Sequence, residues 1–269
     1  MDMPVAPSWR FIQVQAFFMI ESKKHTDNAD SGADQGIEPS VRAKALQQDE
    51  PGSAEAGKFL KISETYSTLQ GEGSHSGLPC YFIRLAVCDI RCSWCDTPDS
   101  WTGGQWNSLE EIMEDVPEHI GLVQITGGEP LLQIKRLSIL MHRLHEMGKK
   151  ILLETGGHRS LESVPAFVHI VMDIKLPSSG ETAHDFASNL SYLKPDDEIK
   201  FVIADETDFQ AALGWIQRYD LTRRFQVLIS PLAGLDLKKL AQWVLDSKLT
   251  MRLQLQLHKY IWGPDARMV

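Results

Sequence analysis

The chain has 269 residues, 43% of them hydrophobic, and a formal net charge of −9. That is enough apolar material for one large domain with a buried core, and the acidity argues against a surface built to wrap nucleic acid or an anionic membrane. No apolar run reaches the roughly 18 residues needed to span a bilayer. The first candidate, "FIQVQAFFMI" at residues 11–20, is about half that length. It lacks a basic start and a small-residue cleavage site, so it does not read as a signal peptide. Residues 21–57 hold few large apolar side chains and no sustained period. Such a composition buries too little surface to offset the entropy of ordering. Residues 1–57 are therefore expected to be a disordered extension, and residues 58–269 the folded domain.

From Lys58 the texture changes. Short apolar runs at 81–87, 121–126, 150–155, 169–175, 198–204, 225–230 and 251–257 predict buried strands. Between most of them lie helical patterns. Ser108 and Glu111 fit a capping box. Leu137, Leu140, Met141 and Leu144 share one helix face, as do Leu237, Leu240, Ala241, Val244 and Leu245. Strands alternating with helices predict an α/β fold, a mostly parallel sheet with outer helices. Ligands of such folds gather at the carboxyl ends of the strands.

The motifs sit where that rule places them. Three of the four cysteines, Cys88, Cys92 and Cys95, follow the first predicted strand. Four cysteines in a chain this size make no disulfide framework; clustered ones point to metal or redox chemistry, with the cytoplasm as default compartment. Three readings of the triplet compete. It could be a buried helical stripe, although core stripes are normally Leu, Ile and Val. It could bind zinc, but structural zinc wants four ligands, and the fourth would be the distant Cys80 or a histidine. It could hold an iron–sulfur cluster by three thiolates, leaving one iron open to a small molecule. "TGGEP" (126–130) alone is an ordinary βα turn, its glycines permitting positive φ and Pro130 opening a helix. "TLQGEG" (68–73) alone is a flexible loop.

Together these segments resemble a known group. The C-x-x-x-C-x-x-C spacing, with Trp94 before the last cysteine, is similar to the signature of the radical S-adenosylmethionine superfamily, and "TGGEP" to its glycine-rich segment. "YSTLQGEGSHSGLPCYFIRLAVCDIRCSWCDT" (66–97), "DIKLPSSG" (173–180) and "QLHKYIWG" (256–263) resemble the 7-carboxy-7-deazaguanine synthase family, over about residues 58–264. The resemblance implies a partial (β/α) barrel of the radical-enzyme type. It implies a [4Fe–4S] cluster on Cys88, Cys92 and Cys95, and S-adenosylmethionine held near Trp94, Cys95, Asp96, Gly128, Glu129, Glu154, Asp173, Lys175 and Ser178. In this reading Glu129 and the adjacent backbone take the methionyl amine. Mg²⁺ would sit at Thr97. The substrate would be 6-carboxy-5,6,7,8-tetrahydropterin, converted to 7-carboxy-7-deazaguanine with loss of ammonia, in the route to queuosine and other deazapurines.

Leu69, Gln70, Gly71, Glu72, Arg84, Thr126 and His258 would contact that substrate. Arg84 offers a planar fork to a carboxylate, and Gln70 and Glu72 can read donor and acceptor edges. A lone histidine such as His258 is more often structural. A flavodoxin- or ferredoxin-like electron donor and a homodimer are also implied. The first 57 residues lie outside the resemblance, no residue after Gly263 is carried into the site, and Cys80 has no role in it. Competing expectations are an activating enzyme for a glycyl-radical partner and a non-catalytic iron–sulfur or zinc protein.

Overall fold

The computed structural model describes residues 44–47, 50–52, 56–264 and 266–268, all within a unit spanning residues 36–269. The expected disorder of residues 1–57 falls mostly outside the described residues. Where that stretch is described, residues 44–47 are helical, Lys61 Nζ donates to the Ala45 carbonyl at 2.6 Å, and Arg136 pairs with Glu50.

One sheet organises the domain. Its strands are β1 (Phe59–Leu69), β2 (Pro79–Leu85), β3 (Gln105–Ser108), β4 (Leu122–Gly127), β5 (Lys150–Thr155), β6 (His169–Asp173), β7 (Glu198–Ile203), β8 (Gln226–Pro231) and β9 (Arg252–Leu253), in the order β3-β1-β2-β4-β5-β6-β7-β8-β9. β1 pairs antiparallel with β2 and β3, and every pairing from β2 to β9 is parallel. The fold is the expected partial barrel with mostly parallel strands. β1 and β3 were not expected: Lys61, Glu64, Thr65, Ser67 and Thr68 give β1 no apolar run. The strand expected over 251–257 shortens to Arg252–Leu253; residues 254–256 are irregular and Leu257–Trp262 form a helix.

The helices α1 (Leu109–Glu114), α2 (Ile134–Glu146), α3 (Glu206–Tyr219), α4 (Leu221–Arg224) and α5 (Leu237–Ser247) fill four of the eight connections, and α6 (Leu257–Trp262) follows β9. α1 opens with the expected capping box. α2 buries Leu137, Leu140, Met141 and Leu144, each contributing about 1.5–3 kcal/mol of hydrophobic stabilisation. α5 departs from its expected face: Leu240 is buried, but Leu237 and Leu245 are exposed. Trp243 takes up that packing, stacking on Phe209 with ring centroids 5.5 Å apart.

Side chains alternate across a strand, and the two sheet faces differ in character. Tyr81, Ile83, Val123, Ile125, Ile151, Leu153, Ile170, Met172, Ile199, Phe201, Val227 and Ile229 belong to the single large core against the helices. The opposite rows run Cys80–Phe82–Arg84, Leu122–Gln124–Thr126, Leu152–Glu154, Val171–Asp173, Glu198–Lys200–Val202 and Leu228–Ser230. At their base Cys80, Leu122 and Leu152 form a small apolar cluster. Above it the inner face becomes polar, and there the site lies.

Candidate active site

A cavity of about 570 Å³ opens at the carboxyl ends of the parallel strands. Its walls include Arg84, Thr126, Glu154, Asp173, Lys200 and Ser230 from the inner rows. Strand β1 and the loop after it, the loops after β2, β4, β5, β6 and β8, and helix α6 with the residues after it complete it.

The cysteine loop forms one side. Cys88, Cys92 and Cys95 all line the cavity, but on an irregular loop and not on one helix face. Val87 enters the loop with φ of 76°, a strained value for a β-branched residue. Its amide donates to the Ser100 carbonyl at 2.7 Å and its carbonyl accepts from Glu129 N at 2.9 Å. The glycine turn after β4 presses directly on this segment. A Cβ on Gly128 would stand 2.4 Å from the Val87 oxygen and 2.8 Å from Cys88 N. Only glycine fits, because backbone atoms cannot swing away. Trp94 Nε1 donates to Ser178 Oγ at 3.1 Å, and Lys175 Nζ lies 5.1 Å from the Trp94 ring centroid. Buried beneath the loop, Asp89 accepts from His158 Nε2 at 2.6 Å and pairs with Arg159.

The thiol set fits a cluster better than a single ion. Among the described residues, no three His, Cys, Asp or Glu side chains converge on one metal position. Zinc needs donors about 2.0–2.3 Å from a single point, whereas a four-iron cubane takes each thiolate on a different iron. Burial pushes the Cys88 thiol up to about 12 and Cys92 to about 11. Without metal they are neutral thiols at pH 7, and metal binding has to drive their deprotonation.

The opposite wall is a network of charge, buried at Lys200 and Asp173 and half-buried at Glu72, Glu154 and Lys175. Glu72 accepts from Lys200 Nζ at 2.9 Å, Gln254 Nε2 at 3.0 Å and Gln256 Nε2 at 2.9 Å. Burial pushes its pKa up, but the Lys200 ammonium and these donors outweigh burial and hold it at about 2. Lys200 also bonds Glu154 and lies 3.8 Å from Asp173, which pairs with Lys175 at 2.9 Å. Burial would neutralise Lys200, yet Glu154, Glu72 and Asp173 raise its pKa well above the ordinary value. Glu154 is raised, chiefly by burial. Gln70 Nε2 donates to Gln124 Oε1 at 2.7 Å, and its Oε1 accepts from Glu72 N at 3.2 Å. His258 packs on Gly71, where a Cβ would meet its Nδ1 at 2.2 Å. Burial lowers the His258 pKa, so the ring is neutral at pH 7. Arg84 stacks 4.9 Å from the Phe82 ring centroid and donates from Nε to Glu64 at 2.6 Å.

The Radical SAM superfamily model matches residues 83–176. The 7-carboxy-7-deazaguanine synthase of Koribacter versatilis is 42% identical over 226 residues, covering 78% of this chain and all of that one. The chain belongs to the 7-carboxy-7-deazaguanine synthase family. The synthase of Chlorobaculum tepidum is 41% identical over 219 residues, covering 78% of this chain and 97% of that one. The crystal structure of QueE from Escherichia coli agrees in fold, with a TM-score of 0.62 at 24% identity over 74% of this chain and 95% of that one. Membership of this radical family implies a [4Fe–4S] cluster, S-adenosylmethionine, a small-molecule substrate and a reductant. No described helix is long and apolar enough to cross a membrane.

Most of the expected family residues meet in the one cavity: Leu69, Gln70, Gly71, Glu72, Arg84, Thr126 and His258, with the cysteines, Trp94, Asp96, Thr97, Gly128, Glu129, Glu154, Asp173 and Lys175. Two stand apart from the rest. Ser178 is not among the lining residues; its hydroxyl donates to Asp208 and accepts from Trp94 Nε1. Glu129 lines it, but its carboxylate already accepts from Leu131 N, Thr155 Oγ1 and Gly156 N at 2.7–2.9 Å. It fastens the β4 turn to the β5 turn, with two donors on Oε1 and one on Oε2, so Oε2 keeps an accepting position beside the cavity. Pro264, Ala266, Arg267 and Met268, left out of the expected site, also line the cavity, and Arg267 pairs with Asp99 at 3.1 Å. Lys200, Gln124, Gln254 and Gln256 were missed as well. Lys200 had a signal: a lone cation inside the apolar run "IKFVI".

Proposed function

We propose that the chain converts 6-carboxy-5,6,7,8-tetrahydropterin to 7-carboxy-7-deazaguanine with release of ammonia. The observation that carries this reading is one cavity holding the three-thiol loop on one side and Arg84, Glu72 and His258 on the other. Cys88, Cys92 and Cys95 would hold the [4Fe–4S] cluster, the backbone at Gly127 and Gly128 the methionyl group of S-adenosylmethionine, and Glu154 its ribose. When bound, these cofactors would supply radical hydrogen-abstraction chemistry at substrate C6. The chain's own residues position and enclose the substrate. Arg84, fixed by Phe82 and Glu64, turns its guanidinium toward the substrate carboxylate. Glu72, ionised at neutral pH, accepts from the heterocycle's N–H edge. Gln70, held by Gln124, reads the neighbouring polar atoms, and neutral His258 supplies one donor and one acceptor.

Mg²⁺ would take Thr97 Oγ1, which lies 3.9 Å from Cys95 Sγ, along with substrate oxygens and water. A homodimer, a flavodoxin- or ferredoxin-like donor and a cytoplasmic setting complete the reading. The test is anaerobic turnover with reductant, S-adenosylmethionine, Mg²⁺ and the tetrahydropterin acid, with the product identified by mass spectrometry. Formation of the deazapurine acid and ammonia supports the reading. Cofactor cleavage without any pterin-derived product overturns it.

A further inference from the structure

Lys200 stands midway along β7 between Ile199 and Phe201 and is 5% exposed. Lys175 is matched to Asp173 at 2.9 Å. Lys200 instead joins carboxylates from two separate segments, Glu72 after β1 and Glu154 at the end of β5. Glu72 is the one of these that follows the substrate-side loop. A carboxylate offers about four lone-pair positions. Lys200 and Gln254 occupy Oε2 and Gln256 occupies one position on Oε1. Oε1 thus retains an accepting position, and Gln256, a neutral amide in the cavity wall, can release a second. Two accepting positions on one carboxylate match two adjacent N–H donors of a heterocycle.

We propose that Lys200 is a specificity-determining residue, which keeps Glu72 a pure acceptor so that the cavity takes a heterocycle edge with adjacent N–H donors, as in a 2-aminopyrimidinone, and rejects an edge presenting an acceptor there. This rests on the pterin reading above and names what sets its selectivity. The groups facing Glu72 are Lys200, Gln254, Gln256 and His258, with Glu154, Asp173 and Lys175 behind Lys200. Without the ammonium, Glu72 and Glu154 are two half-buried carboxylates that have lost the cation they share, and such groups take up a proton. A protonated Glu72 donates as well as accepts, and selection by acceptor character is lost. Lys200 acts through Glu72, so it is a positioning residue.

The test uses anaerobically reconstituted protein with S-adenosylmethionine and Mg²⁺ but no reductant, so that binding is read without turnover. Calorimetry measures Kd for 6-carboxytetrahydropterin and for its 2-oxo analogue between pH 5.5 and 8. Wild type is expected to prefer the 2-amino compound at least about a hundredfold, with little pH dependence, because a site built around N–H donors leaves its acceptors unpaired against the analogue. Lys200→Met should weaken the 2-amino compound at least about tenfold at pH 6 and less at pH 8, while the analogue changes by less than about threefold. Lys200→Arg should restore most of the preference. Should Lys200→Met fail to fold, Lys200→Gln carries the same expectation. A neutral variant that keeps the full preference at every pH overturns the proposal. So does a wild type that binds both compounds equally. A wild type that binds neither, and that makes no deazapurine once reductant is supplied, removes the pterin reading itself.

Discussion

The two sides of the cavity are built by different means. The cysteine side is made of short contiguous segments, 88–97, 126–130 and 154–157, and much of its geometry comes from backbone: Gly128 against Val87, Glu129 N on the Val87 carbonyl, Gly156 N on Glu129. The Glu72 side is made of side chains from segments far apart in sequence: Glu72 after β1, Lys200 on β7, and Gln254 with Gln256 after β9, while Glu154 at the end of β5 bridges the two sides through Lys200. The difference teaches that a cluster and a cofactor tail are held by close-approach loops, which need fixed residue types at fixed spacing. A heterocycle is read by dispersed polar groups, which need only the barrel to bring them together.

The sharpest way to break this contrast is at the thiols. Replacing Cys88, Cys92 or Cys95 by Ala should abolish turnover and lower the iron and sulfide content of anaerobically reconstituted protein. Cys80→Ala, in the apolar cluster with Leu122 and Leu152, should keep the cluster and cost about 1–2 kcal/mol of stability. Full iron loading of Cys88→Ala would move the cluster elsewhere.

On the other side, Arg84→Ala should weaken binding of the tetrahydropterin acid by about 2–5 kcal/mol, leaving the cluster's electron paramagnetic resonance spectrum unchanged. An altered spectrum with unaltered affinity would place Arg84 on the cofactor side.

Gly128→Ala probes the backbone contact. The added methyl meets carbonyl and amide atoms that cannot rotate aside, and overpacking of this kind costs about 1–3 kcal/mol. The melting temperature of the apoprotein should fall and cluster loading should drop with it. A variant with unchanged stability and loading would show that the two loops are free to separate.

The charge network has its own signature in acid. Glu72 is held at about 2, below its ordinary value of 4.5. It therefore contributes stability that is complete above 4.5 and is lost as pH falls toward 2. Urea midpoints of the apoprotein should decline across that window for wild type and less steeply for Glu72→Gln. Parallel slopes would mean that Glu72 is not held ionised by Lys200.

The smallest effect is expected outside the cavity. Starting the chain at Lys58 removes the Arg136–Glu50 pair and the Lys61–Ala45 contact. The Arg136–Glu50 pair is half-buried and worth about 1 kcal/mol. The truncation returns the Lys61 ammonium to water instead of leaving it buried without a partner, so melting should shift by a few degrees at most and turnover should persist. Loss of soluble protein would show that the leading segment is part of the core.

By itself the sequence determined the parallel α/β order, the α2 face, the α1 capping box and the thiol and glycine turns. Each of these is a local pattern, set by side-chain period or by a backbone conformation that few residues tolerate. It left β1 unseen, because that strand buries Leu60 and Ile62 but spends its later positions on polar residues. It did not show that Ser178 would bond Asp208 and Trp94, or that Glu129 would tie the β4 turn to the β5 turn. Lys200 was passed over within "EIKFVIA" because a strand's apolar run does not reveal which face each residue takes. Only register does that: Asp173 is paired beside Lys200 across β6 and β7, and the loop after β1 brings Glu72 within 2.9 Å of an ammonium 128 residues away. Charges buried together are stable only as a set, and no member of the set carries that information in its own neighbourhood.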